Sequence, residues 1–244
     1  MMQRGLRRIM TEAAVVMVPS QMGIEEFAAQ GFERSKLVSV PLGVRLAPEP
    51  DGSRRREVLA RHSLVEPFVL FVGTAEPRKG LDVLAAAMEK MARQDATLAV
   101  VGPEGWGSDE SGNPLGVSLD RLGDRVRGLG FVDASDLDVL RSASSVCCLP
   151  SRAEGFGLPV LEAMAAGAPV VTTSGTPMAE FASGVADFVS PGDAVGLADA
   201  LSQVIEDTAR AQSMREAGRA RAAEYSWERS ARGVLDVSER VLGP

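Results

Sequence analysis

Apolar residues recur in this chain as short unbroken runs, separated by longer stretches in which they return every third or fourth position. Phe68 to Gly73 opens with the clearest run, and Thr97 to Val101, Ser145 to Leu149, Pro169 to Thr173 and Ala186 to Val189 repeat the theme. Such runs, rich in small, β-branched or apolar residues and nearly free of charge, suit strands covered on both faces, as in a parallel sheet. A further short strand is expected over Asp124 to Val132. Between the runs the period changes. Leu84, Ala87, Met88 and Met91 fall at i, i+3, i+4 and i+7, which predicts a helix with one buried face, and Leu197, Leu201, Val204 and Ile205 predict another. Asp133 or Ser135 is placed to cap a helix over Leu137 to Ala143, and Asp193 to cap the one through Leu197. About six strands alternating with helices of roughly ten to fifteen residues predict an α/β fold with a doubly wound parallel sheet.

The flanks are less regular. Ala13 to Val18 reads as a short buried strand ended by Pro19-Ser20, and Gly23 to Gln30 as a helix stopped by Gly31; Met1 to Thr11 is expected to be helical, with Arg4, Arg7 and Arg8 on its polar side. Arg45 to Ser63 is polar and then forms a short helix carrying Arg54, Arg55 and Arg56, a charged surface element. His62, the single histidine, lies in that stretch and is expected at the surface. The segment from Gly102 to about Val117 reads as a long polar loop in which Trp106 packs on the body of the domain. Two further helices end the chain, the second beginning at Ser226-Trp227-Glu228.

Composition narrows the class. At 45% hydrophobic the 244 residues suffice for a sizeable core, and the low aromatic share of 5% favours tightly packed α/β layers over an aromatic-rich all-β fold. Asp plus Glu exceeds Lys plus Arg by 33 to 26, a net charge of −7, which argues against nucleic acid as the main partner. No apolar run approaches the ~18 residues a membrane span requires. Cys147 and Cys148 are adjacent within a predicted strand, have no metal-type spacing and read as small core residues of a reducing compartment, so the protein is expected in the cytoplasm. No Gly-x-Gly-x-x-Gly follows the first strand of the array, which weighs against an NAD-type Rossmann domain.

Candidate chemistry gathers in two turns that follow predicted strands. The first, Gly73-Thr74-Ala75-Glu76-Pro77-Arg78-Lys79-Gly80, sets two adjacent cations at a strand's carboxyl end, where open α/β sheets bind ligands. Taken alone, Arg78 and Lys79 read equally well as an exposed charged pair. The second runs from Pro150 to Gly167. Pro159 suits the first position of a helix over Pro159 to Ala166, and Gly167 suits the left-handed position after it. The amino end of that helix offers unpaired N–H groups and partial positive charge, while Gly155 and Gly157 omit side chains that would hold an anion off. Glu154 lies in the turn and Glu162 one turn into the helix, so both carboxylates are placed to face one cleft and accept hydrogen bonds from sugar hydroxyls. The plainer alternative makes Glu154 a solvated loop residue, Glu162 half of a surface pair and the glycines turn formers. Asp136-Leu137-Asp138 matches the acidic triplet of some metal sites, but at a helix start it reads as first-turn carboxylates.

The second turn resembles the Glu-x7-Glu signature of the retaining glycosyltransferases of family four (group 1), which have the GT-B fold. The likeness runs from Pro150 to Val171 as Pro-Ser-x-x-Glu-Gly-Phe-Gly-Leu-Pro-x-Leu-Glu-Ala-Met-Ala-x-Gly-x-Pro-Val-Val. The first turn resembles the diphosphate-binding turn of the same enzymes, with Thr74 where many relatives carry arginine. Lys36 to Val44 is similar to their interdomain crossing segment, Leu42 standing where asparagine is common. Ser174 to Glu180 departs from the family's Gly-Gly-x-Pro-Glu turn, with one glycine fewer and the glutamate displaced, so no role attaches to Glu180. The resemblance implies a Rossmann-like α/β donor half of a GT-B fold. Residues 1–35 would be a remnant of the N-terminal acceptor domain and linker, 36–225 the nucleotide-sugar donor-binding domain, and 226–244 a helix packing toward the missing domain.

By the same resemblance, Arg78, Lys79 and Glu154 are the implied catalytic residues. Gly73, Thr74, Phe131, Val132, Gly155, Phe156, Gly157, Leu158 and Glu162 are the implied donor-binding residues. The implied reaction is retaining, metal-independent transfer of a hexosyl group, with mannosyl among the candidates, from a GDP-, UDP- or ADP-linked sugar to an acceptor hydroxyl. No cofactor is expected. The chain alone is expected to bind the donor without transferring it at a normal rate. Two other readings remain: a non-catalytic nucleotide-binding or assembly module, and a GT-B nucleotide-sugar epimerase, whose catalytic histidines a chain with one histidine lacks.

Overall fold

The computed structural model describes residues 9–103 and 119–243. Trp106 with nearly all of its loop, and most of the helix expected over Met1 to Thr11, lie outside the described residues.

Six parallel strands form the main sheet in the order β5-β4-β3-β6-β7-β8, where β3 is Phe68–Val72, β4 Thr97–Val101, β5 Val126–Gly130, β6 Val146–Leu149, β7 Val170–Thr173 and β8 Asp187–Val189. Burial on both faces explains the unbroken apolar runs: Phe68, Val69, Leu70 and Phe71 are all buried, as is every residue of β6 and β7. The helices are α2 (Gly52–Arg61), α3 (Leu81–Lys90), α4 (Ala134–Ala143), α5 (Leu158–Ala165), α6 (Met178–Ala182), α7 (Ala194–Glu206), α8 (Thr208–Ala222) and α9 (Trp227–Leu242). On one side α3 packs against α7. On the other, α2, α4, α5 and α8 form a row, each against the next. Right-handed crossovers put α3 on one face and α4 and α5 on the other, because the chain moves outward from β3 through β4 to β5 and then returns to lay β6, β7 and β8 on β3's other side. The reversal makes the gap between the ends of β3 and β6 a topological switch point.

A smaller unit precedes this sheet. β1 (Val16–Val18) pairs in parallel with β2 (Leu37–Ser39), joined by α1 (Gln21–Ala29), around a separate apolar cluster of Val18, Ile24, Phe32 and Leu37. The segment after β2 then meets the last two helices: Val44 N–H donates to Tyr225 O at 2.7 Å, and a Cβ at Gly43 would lie 2.3 Å from the Trp227 nitrogen. None of the helices among the described residues is long and apolar enough to cross a membrane.

Several expectations shift in detail. The strand placed over Asp124 to Val132 is shorter, because a 3-10 turn precedes it and Asp133 already caps α4, its carboxylate accepting from the N–H groups of Ser135 and Asp136 at 3.0 Å. Helix α1 starts two residues earlier than expected, since the Ser20 hydroxyl accepts from Gly23 N–H at 2.9 Å. His62 and part of the arginine cluster are not merely surface groups. Asp136, 1% exposed at its side chain, receives Arg54 at 2.6 Å and Arg61 at 2.7 Å, with His62 Nε2 3.0 Å away. Burial opposes the charge on that carboxylate, yet the hydrogen bonds from Arg61 and His62 outweigh it and hold the group below its usual range.

Candidate functional site

Two turns leave the sheet side by side at the switch point, one from β3 and one from β6. Gly73 prolongs the β3 ladder, donating to Val101 O at 2.9 Å, and Thr74 to Glu76 lead into a single 3-10 turn, Pro77–Lys79, that ends on Gly80. Gly80 has φ +71, and a Cβ there would sit 2.1 Å from the Pro150 carbonyl oxygen. Only glycine lets the two turns approach this closely. The contact is then sewn by Arg152, whose N–H donates to Arg78 O at 2.7 Å. Its guanidinium donates to Pro77 O at 2.8 Å and forks onto Asp82 at 3.0 and 2.8 Å. Sequence reasoning passed over both partners, since neither Arg152 nor Asp82 stands out until the turns are adjacent.

The charged centre lies where the turns meet. Lys79 Nζ donates to Glu154 Oε1 at 2.6 Å, and the Ser151 hydroxyl donates to the same oxygen at 2.8 Å. The two charged side chains are only 10% and 6% exposed. Arg78 lies further out, its Nε donating to Glu76 at 2.8 Å and its Nη1 3.5 Å from Glu154 Oε2. The structure thus brings Arg78, Lys79 and Glu154 into one cluster, in which the carboxylate answers two cations. With Glu76 on Arg78 the cluster holds two cations and two carboxylates, and Ala153 and Gly155 beside it are exposed.

Beyond Glu154 the chain passes through Gly155, Phe156 and Gly157 into α5. Among the described residues the N–H groups of Gly155, Phe156, Gly157 and Leu158 have no backbone partner, and no side chain caps the helix. Four donors and the positive end of a helix dipole therefore stand free. The glycines act differently from one another. A Cβ on Gly155 would meet nothing, whereas Gly157, at φ +92, would drive one to 2.2 Å from Met178 Cγ. Phe156 is 6% exposed and lies against Phe181 with ring centroids 5.0 Å apart, so its ring belongs to the core and only its backbone borders the turn.

The remaining predicted residues lie apart from this cluster. Glu162 is one-third exposed, and its carboxylate pairs with Arg141 of α4. Val132 is buried while Phe131, just past the end of β5, is 91% exposed, so of the two side chains only the phenyl ring is presented to solvent. The Asp136-Leu137-Asp138 triplet is split: Asp136 faces α2 and Asp138 faces Arg45 and Arg141. No group of His, Cys, Asp or Glu among the described residues could hold a metal ion. Burial raises the Cys147 and Cys148 thiols well above their usual range, which leaves both unreactive in the core. A cavity of about 390 Å³ lies elsewhere, between residues 38–42 and 224–240, and none of the predicted site residues lines it.

Residues 66–207, which contain both turns, match the family described as Glycosyl transferases group 1. The D-inositol 3-phosphate glycosyltransferase of Salinispora tropica is 34% identical over 214 residues, 79% of this chain and 43% of that protein. The GDP-mannose-dependent alpha-(1-6)-phosphatidylinositol monomannoside mannosyltransferase of Mycolicibacterium smegmatis is 31% identical, over 94% of this chain and 62% of its own. The chain spans about half the length of the curated relatives it matches. Among solved structures, Anabaena HepE in complex with UDP and glucose superposes on 98% of this chain and 66% of its own with a TM-score of 0.86 at 21% identity, which establishes a shared fold. With more than half of its length and both of its charged turns inside the matched region, the chain belongs to the group 1 glycosyl transferases.

Proposed function

We propose that this chain is the donor-binding part of a retaining, metal-independent glycosyltransferase, and that a nucleoside diphosphate sugar lies across the ends of β3 and β6. The observation that carries the reading is the Arg78, Lys79 and Glu154 cluster at the switch point, beside four free N–H groups at the start of α5. In this reading Lys79 and Arg78 meet the diphosphate and offset the charge that grows on it as the bond to the anomeric carbon breaks. The α5 amino end adds donors that need no reorganisation at that moment. Glu154, held by Lys79 and Ser151, keeps its second oxygen toward the sugar, and Glu162 accepts from the ribose hydroxyls. Phe131 and the backbone around Val132 border the base. The cations do here what a divalent metal does in other transferases. Residues 36–225 form the donor-binding body, with 1–35 part of an acceptor-side domain and 226–244 packing toward it. The separate apolar cluster around β1, α1 and β2 supports a leading unit of its own, and Leu37 in that cluster carries it past residue 35.

Calorimetry with GDP-mannose, UDP-glucose, ADP-glucose and the free diphosphates tests the reading. One nucleotide series is expected to bind, with and without a chelator, and Lys79→Ala to weaken it by about tenfold or more. The M. smegmatis relative makes GDP-mannose the first donor to try. Unaltered affinity in Lys79→Ala, or a strict metal requirement, would remove the proposal.

A further inference from the structure

Arg141 is a buried cation that no motif announces. It lies near the carboxyl end of α4 with its side chain 7% exposed, and Nη2 donates to Glu162 Oε2. Nη1 is 3.6 Å from Asp138 Oδ1, and Asp138 is paired in turn with Arg45, which follows the segment that joins β2 to the body. Nε is buried and has no hydrogen-bond partner. An arginine buried with one donor unmade adds little to stability, since an apolar side chain of similar length meets no such penalty. Its effect lies in what it does to Glu162.

We infer that Arg141 is a positioning residue that holds Glu162 in the one rotamer suited to a ribose. The inference rests on the assignment of Glu162 to the ribose hydroxyls made above. A glutamate one-third exposed on a helix is free to sample several rotamers, and ordering it on ligand arrival would cost affinity. Arg141 orders it beforehand. It takes Oε2 and leaves Oε1 with no hydrogen bond among the described residues, an acceptor lying at the edge of solvent. Asp138, bridged to Arg45, pins the guanidinium from behind.

The test compares ribonucleotides with nucleotides that lack the hydroxyls. UDP, GDP, ADP and their 2′,3′-dideoxy counterparts are titrated calorimetrically into the 244-residue chain and its Arg141→Met, Arg141→Lys and Glu162→Gln variants. The parent is expected to prefer the ribonucleotide, and Arg141→Met to reduce that preference by about tenfold while leaving dideoxy affinity unchanged. Arg141→Lys keeps part of the preference, and adding Arg141→Met to Glu162→Gln reduces it no further. Loss of Arg141 leaves Glu162 solvated and Asp138 with Arg45, so Arg141→Met is expected to fold; Arg141→Lys carries the same comparison if it does not. Equal weakening of both nucleotide types in Arg141→Met shows a structural role only and overturns the inference, as does a preference untouched by Glu162→Gln. If none of these nucleotides binds the parent, the donor-site reading itself fails, a result distinct from either.

Discussion

Three side chains converge on Asp136, and the consequence is specific to that residue. Its carboxylate is almost sealed from water, yet Arg54, Arg61 and His62 reach it from α2 and the turn after it. The triplet that contains Asp136 reads in the sequence as first-turn carboxylates, and the fold makes Asp136 the anchor of one helix on another. Because the folded carboxyl titrates below its ordinary value of 3.8, its contribution to stability is complete above that value and drains away as the pH falls through the lower folded one. Asp136→Asn is expected to cost about 2 kcal/mol at neutral pH, because the guanidinium groups lose a charged acceptor. Urea unfolding near pH 7 and at about pH 3 checks it: the gap between parent and variant is to narrow in acid, and a gap independent of pH would refute the role.

At the scale of elements, glycines in the two turns separate backbone necessity from ligand access. Gly80 is left-handed and abuts the Pro150 carbonyl, so Gly80→Ala forces apart the turns that carry Lys79 and Glu154. A loss of about 2–4 kcal/mol is expected, together with nucleotide binding. Gly155 has ordinary dihedrals and open space, so Gly155→Ala is expected to change stability by less than about 0.5 kcal/mol. Thermal or denaturant unfolding of the pair decides it, and similar losses in both would contradict this account. The two turns themselves were legible in the sequence, because each is local: a strand's apolar run, a proline, glycines at the bends, charges between. The sequence pattern starts helix α1 two residues late because a serine after Pro19 marks a strand's end as readily as it caps a helix.

Across the whole molecule, Glu180 ties the small leading unit to the main sheet. Both of its carboxylate oxygens accept from the first turn of α1, Gln21 N–H at 2.8 Å and Met22 N–H at 2.7 Å. A carboxylate at a helix's amino end is favoured by the dipole as well as by the orphan donors. Glu180→Ala is therefore expected to loosen the β1, α1 and β2 unit while the six-stranded sheet keeps its protection. Hydrogen exchange read by mass spectrometry should show faster exchange over residues 16–39 and unchanged rates in β3 and β6. Uniform change, or none, would show that the two units are not joined there.

The sequence by itself determined the parallel α/β class, most strand positions, the two charged turns and their family, since all of these follow from residues within a few positions of one another. It gave no sign of the long-range pairs that decide how the site is held. Arg152 on Asp82, Arg141 on Glu162 and Glu180 on α1 join residues 70, 21 and 159 positions apart. Each depends on which helix the crossovers set beside which, and an isolated charge looks the same whether it ends in solvent or against a partner. Lys79 and Glu154 show the division most plainly: their types and turns were readable along the chain, but their 2.6 Å contact exists only because β6 returns to lie next to β3.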